Sequence, residues 1–172
     1  MRGRLSTLIL STVVAVGIGA VPARAGVSPQ TGGLALLARS AYELTQAEAY
    51  DAQFGTQTEP TSDVGGGFNV SHLAPGDWLA FDLDLGASSP SSVSTRIASG
   101  SVVSGVIRYR LDSPTGLPFA TALVFPTGGW QTWMTAPADL HATATGVHRV
   151  YLTVAGAPGI DLVSVNWFQF HH

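Results

Sequence analysis

Along residues 78–85 the apolar positions recur at every second residue. Leu79, Phe81, Leu83 and Leu85 fall on one side, and Trp78, Ala80, Asp82 and Asp84 on the other. A period of two belongs to a β-strand with one face toward a core and one toward water. The same alternation sets Ile107, Tyr109 and Leu111 against Arg108 and Arg110. It also sets Val150, Leu152 and Val154 against Arg149, Tyr151 and Thr153. Turn signals separate these stretches about every 8 to 15 residues: Gly55, Gly65 to Gly67, Pro75-Gly76, Gly100, Pro114-Thr115-Gly116, Pro126 to Gly129, Gly146 and Pro158-Gly159. No segment carries a long amphipathic helical pattern and no internal repeat is visible. The expected fold class is all-β, with two antiparallel sheets packed as a sandwich.

The first residues follow a different pattern. Arg2 and Arg4 precede an apolar run from about Leu5 to Ala20, then Ala23-Arg24-Ala25. A basic start, a short apolar stretch and a small-x-small site describe a secretory signal peptide over residues 1–25, cleaved near Ala25. The run is shorter than the roughly 20 residues a spanning helix needs. Residues 26–42 read as a linker running into an early edge, and residues 43–170 as one domain. The expected location is extracellular.

Charge narrows the partners. With the leader removed, five arginines and no lysine face eleven acids, a net charge of about −6. Nucleic acid and anionic membrane surfaces are therefore disfavoured. There is no cysteine, so neither a disulfide nor a thiolate metal site holds the fold. A monomer is expected.

Three tryptophans stand beside glycine turns, in Gly76-Asp77-Trp78 and in Gly128-Gly129-Trp130-Gln131-Thr132-Trp133. An indole at a turn–strand junction offers a flat apolar surface at little entropic cost, which suits the C–H face of a sugar ring. Trp130 and Trp133 are three apart, so a regular strand would send them to opposite sides. The competing readings are an indole packed over the sandwich edge for Trp130 and a loop-covered indole for Trp78. Gln46 and Glu48 are two apart and would leave one face of a strand together, as a pair of oxygen ligands for a hard cation. Their competing reading is a surface Glu beside a satisfied Gln.

The run from Gln46 to Phe170 resembles the family 6 carbohydrate-binding modules. The matching residues are Gln46-Ala47-Glu48-Ala49-Tyr50, Gly55-Thr56-Gln57-Thr58-Glu59 and Gly65-Gly66-Gly67-Phe68-Asn69-Val70. They continue through Gly76-Asp77-Trp78-Leu79, Leu111-Asp112-Ser113-Pro114-Thr115-Gly116, Gly128 to Trp133, Gly146-Val147-His148 and Asn166-Trp167-Phe168. The resemblance implies a β-jelly roll, a non-catalytic role in binding poly- or oligosaccharide (β-glucan, xylan or similar) and a structural Ca2+. It places Trp130 as one wall of a loop-edge cleft. His72 stands where the family usually has Tyr as the second wall, and Ser164 where it has a hydrogen-bonding Asn. It pairs Trp78 with Glu59 in a second cleft on a sheet face. Asn166 becomes the third side chain at the calcium, beside Gln46 and Glu48.

Two rival functions remain. A glycan hydrolase would need two positioned carboxylates, for which Glu59 and an Asp on the Trp78 face are the candidates. Gly-x-Ser-x-Gly and His-Glu-x-x-His are both absent. An envelope-associated interaction protein with a decayed sugar site is motivated by the departures at His72 and Ser164. Asn69-Val70-Ser71 meets the glycosylation sequon, and His148 reads as a structural turn residue.

Overall fold

The computed structural model describes residues 38–172. The strands run β1 (Arg39–Ser40), β2 (Thr45–Gln46), β3 (Ala52–Phe54), β4 (Gln57–Pro60), β5 (Phe68–Leu73) and β6 (Trp78–Asp84). They continue with β7 (Ser92–Ser99), β8 (Gly105–Leu111), β9 (Pro118–Val124), β10 (Gly129–Asp139), β11 (Val147–Ala155) and β12 (Val163–His171). A single 3-10 turn, Ala47–Ala49, interrupts the strands among the described residues. No helix there is long and apolar enough to cross a membrane. The expected signal segment lies outside the described residues.

Two six-stranded sheets form the sandwich. The first has the order β1-β6-β11-β8-β9, with β3 also on β6. The second has the order β10-β7-β12-β5-β4, with β2 on β12. Among the described residues only β1 pairs in parallel, and every other ladder is antiparallel. The described fold begins with β1, at an edge of the first sheet, and the fully buried Ala41. Tyr42 fastens this entry through its hydroxyl, which donates to Leu85 O at 2.9 Å and Ser88 O at 2.7 Å.

The predicted inner faces form the core. Leu79, Phe81 and Leu83 of β6, Ile107 and Tyr109 of β8, and Val150 and Leu152 of β11 are fully buried. They meet Val93 and Ile97 of β7 and Val163, Val165, Phe168 and Phe170 of β12. Phe81, Tyr109, Phe168 and Phe170 pack edge to face at centroid distances of 4.9–6.0 Å, the favoured arrangement for their quadrupoles. The Tyr109 hydroxyl would be an orphan in this interior. It shares a 2.8 Å hydrogen bond with Thr95 Oγ1 of the opposite sheet, and burial pushes its phenol well above the ordinary value.

The outer faces are less wet than alternation suggests. Asp82 is buried, because Arg149 closes over it with two hydrogen bonds of 2.7 and 2.6 Å. That bidentate guanidinium holds the Asp82 carboxyl below the usual range. His148 places Nδ1 2.8 Å from Asp112 Oδ2 and Nε2 3.1 Å from Thr145 O.

Candidate carbohydrate site

Strand register brings His72, Ser164 and Trp130 together. On β5 and β12, Val163 pairs with Leu73 and Val165 with Val70. Two residues, Ser71 and His72, therefore oppose the single Ser164. This is a β-bulge, and it re-aims a side chain. His72 takes a φ of +58°, a left-handed conformation that costs a non-glycine residue about 1–3 kcal/mol. Its ring is exposed, with Nδ1 3.0 Å from Ser71 Oγ.

A second irregularity presents the opposite wall. Gly129 pairs with Ser99 and Trp133 with Ala98, leaving Trp130, Gln131 and Thr132 without partners on β7. These three residues bulge out of the ladder, so the parity expected between Trp130 and Trp133 does not apply. The Trp130 indole lies over Gly100, where an added Cβ would stand 2.6 Å from Nε1. Only glycine permits that approach.

The two rings face each other with centroids 6.0 Å apart and planes within 19°. Their backbones are three strand spacings apart, about 14 Å, so both side chains reach inward over the strands between. The floor belongs to small residues, Ser164 of β12 and Ala98 of β7, which are paired and fully buried. Ser164 Oγ has no hydrogen-bond partner among the described residues.

Gln131 anchors the protrusion. Its Nε2 donates to Glu59 Oε1 at 2.9 Å and to Asn69 Oδ1 at 3.1 Å. Its Oε1 accepts from Ser62 N at 2.8 Å and from Trp133 Nε1 at 3.3 Å. Sequence reasoning missed this residue; its one signal was a polar amide between two tryptophans in a glycine-led turn.

Glu59 and Trp78 are not brought together. Glu59 lies on β4, at the edge of the second sheet, and spends Oε1 on Asn69 and Gln131. Trp78 opens β6 in the first sheet, half-buried, among Asp77, Arg108, Arg110 and Thr153. The expected carboxylate beside this indole is thus absent from its groove, and two arginines flank it instead. The hydrolase pair fails with it. Asn69 is fully buried and donates to Glu59, so the sequon is closed to a glycan in the folded chain.

The proposed metal ligands need one correction and keep one strong feature. β2 stops at Gln46 and Glu48 sits in the 3-10 turn, so they do not share a strand face. They still converge on β12, because Gln46 pairs with Trp167, next to Asn166. Among the described residues, Glu48 Oε2 and Asn166 Oδ1 are buried without any hydrogen-bond partner. Two orphaned oxygens fit a hard cation. The set is lean in charge, and no cluster of three or more His, Cys, Asp or Glu lies among the described residues. Below it, Asn166 Nδ2 donates to Asp63 Oδ2 at 2.9 Å. Asp63 takes two further bonds from Arg96, 2.8 Å from Nε and 2.7 Å from Nη2. Arg96 holds the Asp63 carboxyl down at about 2.

Opposed rings over a small-residue floor, at one edge of a sandwich, form a cleft able to take a flat ring between them. Residues 46–172 match the model of carbohydrate binding module (family 6), and the chain belongs to that family. The arabinoxylan arabinofuranohydrolase of Paenibacillus polymyxa is 37% identical over 134 residues, 75% of this chain and 20% of that protein. The chain therefore spans about a fifth of the length of that curated relative. A β-1,3-glucan binding module of this family from Bacillus halodurans superposes with a TM-score of 0.74 at 40% identity, covering 78% of this chain and 99% of that one. A family 6 module from Clostridium cellulolyticum, solved in complex with xylose, gives 0.72 at 38% identity, covering 78% and 100%.

Proposed function

We propose that this chain is a secreted, non-catalytic module that binds a neutral β-glucan or xylan chain by closing His72 and Trp130 on one pyranose. The observation that carries this reading is the near-parallel pair of rings over the buried, unpartnered Ser164 hydroxyl. A sugar in contact with both faces needs about 3.5–4.0 Å on each side, or a gap of roughly 7–8 Å. From 6.0 Å the rings must part by about 1–2 Å. Trp130 rests on Gly100, so the opening falls to His72, which is exposed on its bulge. Parting the rings uncovers Ser164 Oγ, and a sugar hydroxyl can then supply the partner that the protein withholds.

The structural neighbours support the ligand class, one being named for β-1,3-glucan and another holding xylose. A decayed site is the poorer reading, since a degenerate cleft has no reason to keep an αL histidine facing an indole. Bound Ca2+ would sit among Gln46, Glu48 and Asn166 and tie the first strands to the last in a fold without disulfides. Export rests on the N-terminal pattern, and the intact mass of exported protein tests cleavage near Ala25.

Calorimetry against laminarin, mixed-linkage β-glucan and xylan oligosaccharides tests the binding reading. Binding by the wild type that Trp130→Ala removes is the expected result. Folded, calcium-loaded protein that takes none of these glycans sinks it.

A further inference from the structure

Between Gly129 and Trp133, β10 has no partner on β7, so the ladder does not fix the backbone that carries Trp130. The seat on Gly100 fixes the height of the indole, but not its position along the cleft. The hydrogen bonds of Gln131 supply what is missing. β10 and β4 are the two ends of the second sheet, four strand spacings apart, or about 19 Å at the backbone. Gln131 Nε2 nevertheless reaches Glu59 Oε1 of β4 at 2.9 Å. Two side chains of about 5 Å each cannot span that gap alone, so the unpaired backbone leans in over the sheet. Residues 130–132 form a strap from one edge to the other.

The far end of the strap is fixed from several elements. Glu59 Oε1 accepts from both Gln131 and Asn69 of β5, and Asn69 is fully buried. Asn69 Oδ1 accepts the second Gln131 amide hydrogen at 3.1 Å. Ser62 donates its backbone N–H to Gln131 Oε1 at 2.8 Å and its hydroxyl to Gln131 O at 3.2 Å. Ser62 is itself placed by the next residue, the buried Asp63, which is bound to Arg96 of β7 and Asn166 of β12. Trp133 Nε1 completes the set, donating to Gln131 Oε1 at 3.3 Å. Both N–H groups and both lone pairs of the Gln131 amide are then in use. A saturated amide has nothing to offer a sugar hydroxyl, so what Gln131 does for binding it does through its neighbour.

We propose that Gln131 is the positioning residue of the clamp. It sets where Trp130 stands opposite His72 by tying β10 across the sheet to β4, β5 and the loop at Ser62, and it does not touch the sugar. This inference rests on the clamp reading of His72 and Trp130. Its physical basis is preorganisation: a ring already held in place carries no ordering cost when the sugar arrives. Released from the strap, the indole must be ordered at each binding event, which weakens affinity by about 2- to 10-fold. The same geometry accounts for a polar amide between two tryptophans. One indole offers its face to the cleft, and the other lends its N–H to lock the amide.

The test uses the full chain, with Gln131→Met as the variant that keeps side-chain length and removes the amide's bonds to Glu59, Asn69, Ser62 and Trp133. Calorimetry with laminarin and xylan oligosaccharides should show affinity about 2- to 10-fold below wild type. Proton NMR of the sugar-free protein reads the geometry directly. The His72 ring protons, assigned by their absence in His72→Asn, lie in the ring current of Trp130. Trp130→Ala removes that shift, and Gln131→Met should move the signals part of the way toward the Trp130→Ala value. Ser62→Ala gives up one bond at an exposed residue and should move both readouts the same way by less, so the test survives a Gln131→Met protein that folds poorly. Tyr109→Phe, which gives up a hydrogen bond in the core, is the destabilised control and should keep wild-type values of both. Wild-type His72 shifts in both strap variants, unchanged affinity in Gln131→Met, or an equal loss in Tyr109→Phe overturns the proposal. A wild type that binds no glycan sinks the clamp reading instead, and the His72 shifts still decide whether Gln131 holds Trp130.

Discussion

Gly100→Ala probes the clamp without touching either of its walls. Gly100 has no positive φ, so alanine fits the backbone, and the strain of the new methyl falls on the Trp130 ring and should lower stability by no more than about 1–3 kcal/mol. The new methyl would stand 2.6 Å from Trp130 Nε1 and 2.8 Å from Cδ1 and Cε2. Restoring a contact of about 3.5 Å moves the indole by roughly 0.9 Å. A radial gap of 0.5–1 Å forfeits about a quarter to a half of a contact's dispersion energy. Stacking on an aromatic ring contributes about 1–3 kcal/mol, so the loss is about 0.3–1.5 kcal/mol, or about 2- to 10-fold in affinity. Trp130→Ala removes the whole contribution and should cost about 5- to 150-fold. Calorimetry with the best-bound neutral oligosaccharide should rank wild type above Gly100→Ala above Trp130→Ala, with melting curves showing Gly100→Ala fully folded. A Gly100→Ala protein that binds like wild type would refute the claim that the indole's seat on Gly100 sets the clamp.

Three further outcomes follow from other residues. His72→Asn keeps a residue type tolerant of the αL backbone but removes the ring, so neutral-sugar affinity should fall by several-fold at constant melting temperature; retained affinity would mean that His72 is no wall. Asp63 has its carboxyl lowered from 3.8 to about 2 by the Arg96 hydrogen bonds, which corresponds to about 2 kcal/mol. Because the folded value is the lower one, that stability is complete above about pH 4 and is lost as pH falls toward 2. Asp63→Asn should therefore melt below wild type at pH 7, with the difference narrowing by pH 2; a constant difference across that range would count against the pair. Ca2+ at a hundred times its dissociation constant should stabilise the wild type by about 2.7 kcal/mol, read as a melting temperature that drops by several degrees in chelator. Glu48→Gln should flatten that response, and a wild type indifferent to chelator would remove the calcium reading.

What could be read in the chain and what could not divide along one physical line. Alternation placed Leu79, Phe81 and Leu83, and likewise Val150 and Leu152, correctly in the core, because the direction of a side chain on a strand is a local property. Turn glycines located the loops for the same reason. The glycine pair before Trp130 flagged a site, but the geometry of that site came from pairing between distant segments. The bulge opposite Ser164 gives His72 its aim, and three unpaired residues after Gly129 lift Trp130 over Gly100. Neither is visible until β5, β10, β12 and β7 are side by side. Glu59 shows the limit most plainly: the family resemblance paired it with Trp78, yet the sandwich puts the two on different sheets. The same packing sets Trp78 beside Arg108 and Arg110. Which residues could bear chemistry was legible from composition and period; which of them meet was decided by register, since a ladder joins residues that the chain holds far apart.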